Sequence, residues 1–139
     1  MSGNIKFRFL LAPIVVALFF VVTSPVSWAG ELGYAQEAVR QNPNDAKAHF
    51  KLGKVYTRLH QHQNAIRSYK EAIRIKPDHS GSHNNLGVVL EYINDVAGAI
   101  MHTIIAMKLN ERQNKVENLA TTKSNLRRYF QKHPTYRPE

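Results

Sequence analysis

The chain of 139 residues contains no cysteine. Disulfides, thiolate metal sites, thiol redox chemistry and covalent haem attachment are therefore excluded, and any fold must be held by packing alone. There is no glycine-rich phosphate loop, no pair of carboxylates at a catalytic spacing and no nucleophile beside an evident base, so the sequence points to no enzyme, no cofactor and no metal. Acidic residues are scarce as well. Ten Asp and Glu stand against 19 Lys and Arg, a net charge of +9. A balance this basic implies a partner of opposite sign: nucleic acid inside a cell, or acidic protein segments and anionic lipid head groups outside it.

Long apolar runs are absent too, with one exception at the N-terminus. Lys6 and Arg8 form a short positive segment, Phe9 to Val22 is an almost unbroken apolar stretch of 14 residues, and Ser27-Trp28-Ala29 places small residues at both positions a cleavage site requires. These features are those of an export signal over residues 1–29, cut after Ala29. An uncleaved membrane anchor is the alternative, but 14 helical residues reach only about 21 Å against a hydrocarbon core of about 30 Å. The segment has no Arg-Arg pair, and the chain has no cysteine to carry a lipid, which favours the general secretory route. The expected location is periplasmic or secreted, or membrane-anchored if the signal is retained. Removing residues 1–29 leaves 17 basic and 10 acidic residues, a net charge of +7.

Beyond the signal the sequence repeats itself. An offset of 34 pairs His49 with His83, Leu52 with Leu86, Gly53 with Gly87, Val55 with Val89, Ala65 with Ala99, Ile66 with Ile100 and Ala72 with Ala106, where chance gives roughly two identities. The same offset taken backwards pairs Glu37 with Glu71, Ala38 with Ala72, Arg40 with Arg74 and Pro43 with Pro77, so a half repeat precedes two whole ones. Within each unit the apolar spacing is helical. Ala48, Leu52, Val55, Tyr56 and Leu59 recur at three and four residues, His60 to Asn64 interrupts, and Ala65, Ile66, Tyr69, Ala72, Ile73 and Ile75 resume. In the second unit the stripes are Leu86, Val89, Leu90 and Ile93, then Val96, Ala99, Ile100, Thr103, Ala106, Met107 and Leu109. Asn44 or Asp45 is the expected cap of the first helix, Ser80 or Ser82 of the third, and Pro77 ends the second. Gly53, Gly87, Ala65 and Ala99 mark close helix crossings. A glycine inside a helix costs up to about 1 kcal/mol relative to alanine, and a tight crossing is the natural reason to keep one.

These residues resemble the tetratricopeptide repeat family, with its period of 34 and its motif W-x2-L-G-x2-Y, A-x3-F and P. The first unit reads His49-x2-Leu52-Gly53-x2-Tyr56, Ala65-x3-Tyr69 and Pro77. The second, His83-x2-Leu86-Gly87-x2-Leu90 and Ala99-x3-Thr103 with Glu111 in the proline position, departs further. The resemblance implies an all-α fold, a right-handed α-solenoid of antiparallel helix pairs whose concave face holds peptides or partner proteins, and no catalysis. The expected divisions are a half repeat over 30–45, whole repeats over 46–79 and 80–113, a capping helix over 114–132 and a tail over 133–139. Leu32, Ala35, Ala38 and Val39 would form the apolar side of the half repeat; Val116, Leu119, Leu126, Tyr129 and Phe130 that of the capping helix. A turn over Asn110 to Asn114 is favoured over one continuous rod between the last two helices.

Lys47, Lys51, Lys54 and Arg58 lie at offsets of 0, 4, 7 and 11, within about 60° of one another on one helix face. By the resemblance that helix lines the concave surface, where some family members hold a terminal carboxylate with lysine, asparagine and arginine. Lys47, Lys51 and Asn85 are of suitable type, but Phe50 stands where those members carry lysine and a third complete unit is missing, so the clamp does not transfer whole. The expected binding surface is Lys47, Phe50, Lys51, Lys54, Arg58, Asn84, Asn85, Val88 and Tyr92, receiving an extended or helical segment rich in Asp and Glu. His49 and His83 are expected to pack as aromatic substitutes on neighbouring first helices, and His60 and His62 lie in a polar turn without the partners a metal site needs. Three roles fit. They are an exported interaction module; a basic peripheral protein that meets a membrane or nucleic acid through Lys123, Arg127, Arg128, Lys132 and Arg137; and a subunit whose half repeat is completed by self-association.

Overall fold

In a computed structural model, which describes residues 26–138, six α-helices follow one another: α1 Val26–Gln41, α2 Ala46–Arg58, α3 His62–Ile75, α4 Ser80–Tyr92, α5 Val96–Arg112 and α6 Val116–Lys132. A 3-10 turn, Pro134–Tyr136, ends the described chain, and the described residues contain no strand. The expected export signal over residues 1–29 lies mostly outside the described residues. Helix α1 begins at Val26, ahead of the half repeat expected over 30–45, so it runs across the expected cut after Ala29. No helix of the described residues is long and apolar enough to cross a membrane.

Each helix packs chiefly on its neighbours in sequence, with weaker contacts from α2 to α4 and from α4 to α6. The fold is thus an α-solenoid of antiparallel helix pairs, in which α2, α4 and α6 form one layer and α3 and α5 the other. The apolar stripes read from the sequence form its core: Leu52, Val55, Ala65, Ile66, Tyr69, Leu86, Val89, Leu90, Ala99, Ile100 and Ala106 are buried. Leu126 and Tyr129 bring α6 onto that core, whereas Val116, at the exposed start of α6, is 70% exposed. Ile93 also lies further out than its spacing suggests, at the cap position that closes α4.

The two interior glycines mark the closest approaches. A Cβ at Gly53 would stand 2.5 Å from Cε1 of Tyr69, and one at Gly87 would stand 2.5 Å from Oγ1 of Thr103 and 2.9 Å from the carbonyl oxygen of Ala99. Tyr69 and Thr103 are the A-x3-F positions of the two repeats. Where the second repeat replaces the ring by threonine, the Thr103 hydroxyl donates to the Ala99 carbonyl at 2.8 Å.

Three of the turns are built alike. His60, Asn94 and Asn114 have φ of 55°, 63° and 52°, and each follows a helix cap. At each, the N–H of the left-handed residue bonds the carbonyl three residues back, and the next N–H bonds the carbonyl five residues back: Gln61 to Tyr56 and Asp95 to Leu90 at 2.9 Å, Lys115 to Asn110 at 2.9 Å. This is the Schellman arrangement, which satisfies the orphan carbonyls of a helix end and favours glycine, or failing it asparagine. The third such turn separates α5 from α6, so the two are not one rod. Histidine at the first is the strained choice. His60→Gly should raise stability by about 0.5–1 kcal/mol, the relief of a left-handed side chain less the added freedom of the unfolded chain, while His60→Val should lower it. Urea midpoints moving in the same direction for both would contradict this.

The caps differ in part from expectation. Asp45 caps α2, its carboxylate accepting the Lys47 N–H at 2.8 Å. At α4 neither Ser80 nor Ser82 is the cap. His79 is, its Nδ1 accepting the Ser82 N–H at 3.1 Å with the Ser82 hydroxyl 2.7 Å away, while Ser80 and Ser82 are buried inside the first turn. An imidazole reaches an N–H three residues on as well as a hydroxyl does, provided that nitrogen is unprotonated.

His49 and His83 are buried, but packing is not their whole role. Nε2 of His49 lies 2.9 Å from the Pro43 carbonyl and Nε2 of His83 lies 3.1 Å from the Pro77 carbonyl, so each ring donates to the turn that enters its repeat. Nor do the two pair with each other. Nδ1 of His83 meets Nδ1 of His102, on the second helix of its own repeat, at 3.1 Å. With Nε2–H of His83 committed to Pro77, its Nδ1 must accept and His102 must donate.

His79 and His83 therefore accept through Nδ1 only while neutral. Burial is the leading cause that depresses His79, His83 and His102 below the ordinary histidine range; Lys76 and Lys115 add to it at His79, and His83 and Lys70 at His102. Asp78 and Asp95 oppose it weakly. A depressed folded-state value means that the unfolded chain binds protons first. Stability is full above about pH 6.5 and is lost as pH falls from there through the folded-state values. A urea midpoint that stays constant or rises from pH 7.5 to pH 5.5 would refute this.

Candidate functional site

Helices α2, α4 and α6 enclose a cavity of about 460 Å³. Phe50 and Lys54 come from α2; Asn84 and Asn85 from α4, with Ser80 and Gly81 at its start; Asn118, Thr121 and Thr122 from α6. Asn110, in the last turn of α5, also lines it, and His79 and Lys115, the caps of α4 and α6, stand at its edge. Phe50 is fixed by neighbours on two sides: its ring lies edge-on to His79 with centroids 4.9 Å apart, and Lys54 Nζ sits 5.8 Å from its centroid. Lys54 and Lys115 are cations among the lining residues, and no Asp or Glu is among them.

The basic stripe of α2 is divided by this geometry. Lys54 enters the cavity. Lys51 and Arg58, with Lys54 between them, line a second hollow of about 340 Å³ against α1, where Arg58 pairs with Glu31. Lys47, exposed in the first turn of α2, lines neither. Val88 lies in a small hollow of about 180 Å³ beside Thr57, Tyr69 and Asn85. Tyr92, at the far end of α4, is 67% exposed, and its ring stacks on His62 with centroids 5.4 Å apart. Of the nine expected residues the cavity thus brings together Phe50, Lys54, Asn84 and Asn85, and leaves Lys47, Lys51, Arg58, Val88 and Tyr92 outside its wall.

The α6 wall was not expected as part of the binding surface. Helix α6 takes the place of a third first helix and is fastened to α4 by three contacts. Asn125 Nδ2 donates to Asn84 Oδ1 at 3.0 Å, and Arg128 and Lys132 both reach Glu91, at 2.8 and 2.9 Å. The caps of α2 and α4, Asp45 and His79, are one 34-residue period apart, but the cap of α6 is Lys115. Lacking a proline where Pro77 stops α3, α5 continues to Arg112 and shifts the third unit out of register. Among the described residues no group of three or more His, Asp or Glu is placed to hold a metal.

The described residues thus form an array of antiparallel helix pairs with a concave polar cavity. Residues 46–79 match the family model for the tetratricopeptide repeat, so the α2–α3 pair is such a repeat. No curated protein matches the chain in sequence. Among solved structures it is similar to the TPR2B domain of yeast Sti1 in a complex with pHsp70, at 15% identity and a TM-score of 0.73 over 78% of this chain and 86% of that one. It is also similar to PcrH in complex with the chaperone binding region of PopD (18% identity, TM-score 0.73, 85% of this chain and 90% of that one). The translocator chaperone SycD of Yersinia enterocolitica type III secretion is a third (17% identity, TM-score 0.72, 84% and 81%). At identities this low the TM-scores show a shared fold alone.

Proposed function

We propose that the protein is an exported tetratricopeptide-repeat interaction module whose cavity between α2, α4 and α6 holds an acidic segment of a partner protein. The observation that carries this is the composition of the wall: Lys54 and Lys115 without a carboxylate among the lining residues, over a floor of uncharged amides and hydroxyls. A concave site with cations and no counter-charge of its own favours an anionic guest. Two of the structural neighbours are solved as complexes with other proteins, which supports a binding role for the shared fold. Export is supported by Lys6, Arg8, the apolar run that follows and the small residues before Gly30. A membrane or nucleic-acid role for the C-terminal cations has less support, because Arg128 and Lys132 are both engaged with Glu91 and Lys123 lies 3.8 Å from Glu111.

An array of end-capped decapeptides of graded charge tests the proposal. Peptides rich in Asp and Glu should bind, basic ones should not, and affinity should fall as salt rises. Binding indifferent to both peptide charge and salt would rule it out.

A further inference from the structure

We infer that the outer side of α6 carries an anion site in which Arg127 and Arg137 hold a phosphoryl group between them. The site is separate from the α2–α4–α6 cavity and stands independently of the function proposed for it. Arg127, Phe130, Gln131 and Arg137 line a hollow of about 330 Å³. At 100° per residue the first three lie, on average, roughly 140° around α6 from Asn125, Arg128 and Lys132, the residues that reach α4.

Arg137 follows Arg127 by ten residues, which in a continuing helix would carry it about 15 Å away. It lines the same hollow because the chain turns back. The His133 N–H donates to the Tyr129 carbonyl at 2.8 Å, and Pro134 opens the 3-10 turn Pro134–Tyr136. That turn is closed by the Tyr136 N–H on the His133 carbonyl and the Arg137 N–H on the Pro134 carbonyl, each at 3.1 Å. The reversal places a second guanidinium in the hollow with the first. Two like charges there repel, and no Asp or Glu is among the lining residues. Among the described residues neither arginine is ion-paired, in contrast to Arg128 and Lys132 on Glu91. A guest anion supplies the missing counter-charge.

The donors decide which anion. Each guanidinium is a planar fork that grips two oxygens, and the Gln131 carboxamide adds a further donor. A carboxylate has two oxygens and is satisfied by one fork, whereas a phosphoryl group has three or four and can meet both forks and the amide at once. Phe130, half-buried against the core, gives the hollow an apolar wall that suits the carbon side of a phosphate ester. The carbonyl end of a helix opposes an anion, but here the Tyr129 and His133 carbonyls already accept returning N–H groups, and Lys132 lies in the last turn.

Calorimetric titration of the purified protein at about pH 7.5 and constant ionic strength tests this, with phenyl phosphate against phthalate, which matches its ring and double charge. Phenyl phosphate should bind at one site and at least tenfold more tightly. Arg127→Gln and Arg137→Gln should each lose at least tenfold, and Arg127→Lys, which keeps the charge but not the fork, should lose nearly as much. Lys108→Gln, exposed on α5 and not part of the hollow, should change little. Both arginines are exposed, so circular dichroism should be unaltered; if Arg137→Gln frees the tail, Arg127→Lys still decides. Full affinity in Arg127→Lys, or an equal loss in Lys108→Gln, would reduce the site to diffuse attraction and overturn it. Phthalate binding as tightly as phenyl phosphate, or neither binding, would overturn it as well. Vesicles of phosphatidylcholine with and without phosphatidic acid separate two sources of the same chemistry. Co-sedimentation that requires phosphatidic acid and is lost in Arg137→Gln identifies a lipid headgroup; phenyl phosphate binding without co-sedimentation identifies a free phosphate ester.

Discussion

Gly87→Ala should destabilise the protein by about 2–3 kcal/mol, although alanine is the better helix former by up to about 1 kcal/mol. The added methyl would stand 2.9 Å from the Ala99 carbonyl oxygen, which is backbone inside α5 and cannot turn aside, and 2.5 Å from Thr103 Oγ1, which is itself bonded to that carbonyl. Relief requires α4 and α5 to move apart, which opens the packing of Leu86, Val89 and Ala99. The same substitution at Gly33 meets nothing within 4 Å and should stabilise by up to about 1 kcal/mol. Urea unfolding of the two variants separates intrinsic propensity from crossing distance. Equal shifts of the same sign would show that the glycine at the crossing is not needed for close approach. For a domain whose total stability is about 5–15 kcal/mol, the predicted loss at Gly87 is a large fraction.

Reversing Lys54 and Lys115 together to glutamate should lower the affinity for an acidic decapeptide by at least a hundredfold and flatten its salt dependence. The two cations come from opposite walls, α2 and the start of α6, so either alone leaves one charge for the guest and should cost roughly tenfold. Among the described residues neither is ion-paired with an acid, so reversal breaks no salt bridge between these helices. Arg58 is the instructive comparison. It belongs to the same sequence stripe, but it is engaged with Glu31 across the α1–α2 hollow, and its reversal should loosen α1 more than it affects binding. Titration by anisotropy at two salt concentrations checks all three. An unchanged affinity in the double variant would remove the cavity from consideration as the acidic-segment site.

The helix pairs were legible in the sequence because their signals are local and repeated. Leu52 and Leu86, Ala65 and Ala99, and Gly53 and Gly87 recur at one offset, and each is buried as its spacing implies. The site was legible only in half. Phe50, Lys54, Asn84 and Asn85 sit on helices whose concave face follows from the repeat, whereas Asn110, Lys115 and Asn118 required knowing that α6 swings in as a third wall. Helix α5 runs one turn longer than α3, and that takes α6, expected only as a capping helix, out of the 34-residue register that would have marked it as a third wall. A helical projection also placed Lys47 and Arg58 with Lys54, because it describes a face and not the neighbour that covers it. Here α1 draws Lys51 and Arg58 to its own side. The cap at His79 was hidden for a different reason. Two serines follow it, and serine is the commoner cap, but both are drawn into the buried first turn of α4.

Helix α1 packs on α2, while every helix from α2 to α5 is held between two neighbours in the array. In a chain whose contacts are almost all between successive helices, little loop entropy stands in the way of assembly, and folding can start at any pair and spread outward like a zipper. The two ends of that zipper are unequal. Glu91, shared by Arg128 and Lys132, together with the Asn84–Asn125 bond, fastens α6, whereas α1 is tied to α2 by the Arg58–Glu31 pair and by Gln36, whose amide donates to the Tyr56 hydroxyl at 3.1 Å. Opening should therefore begin at α1, the less firmly fastened end of the array.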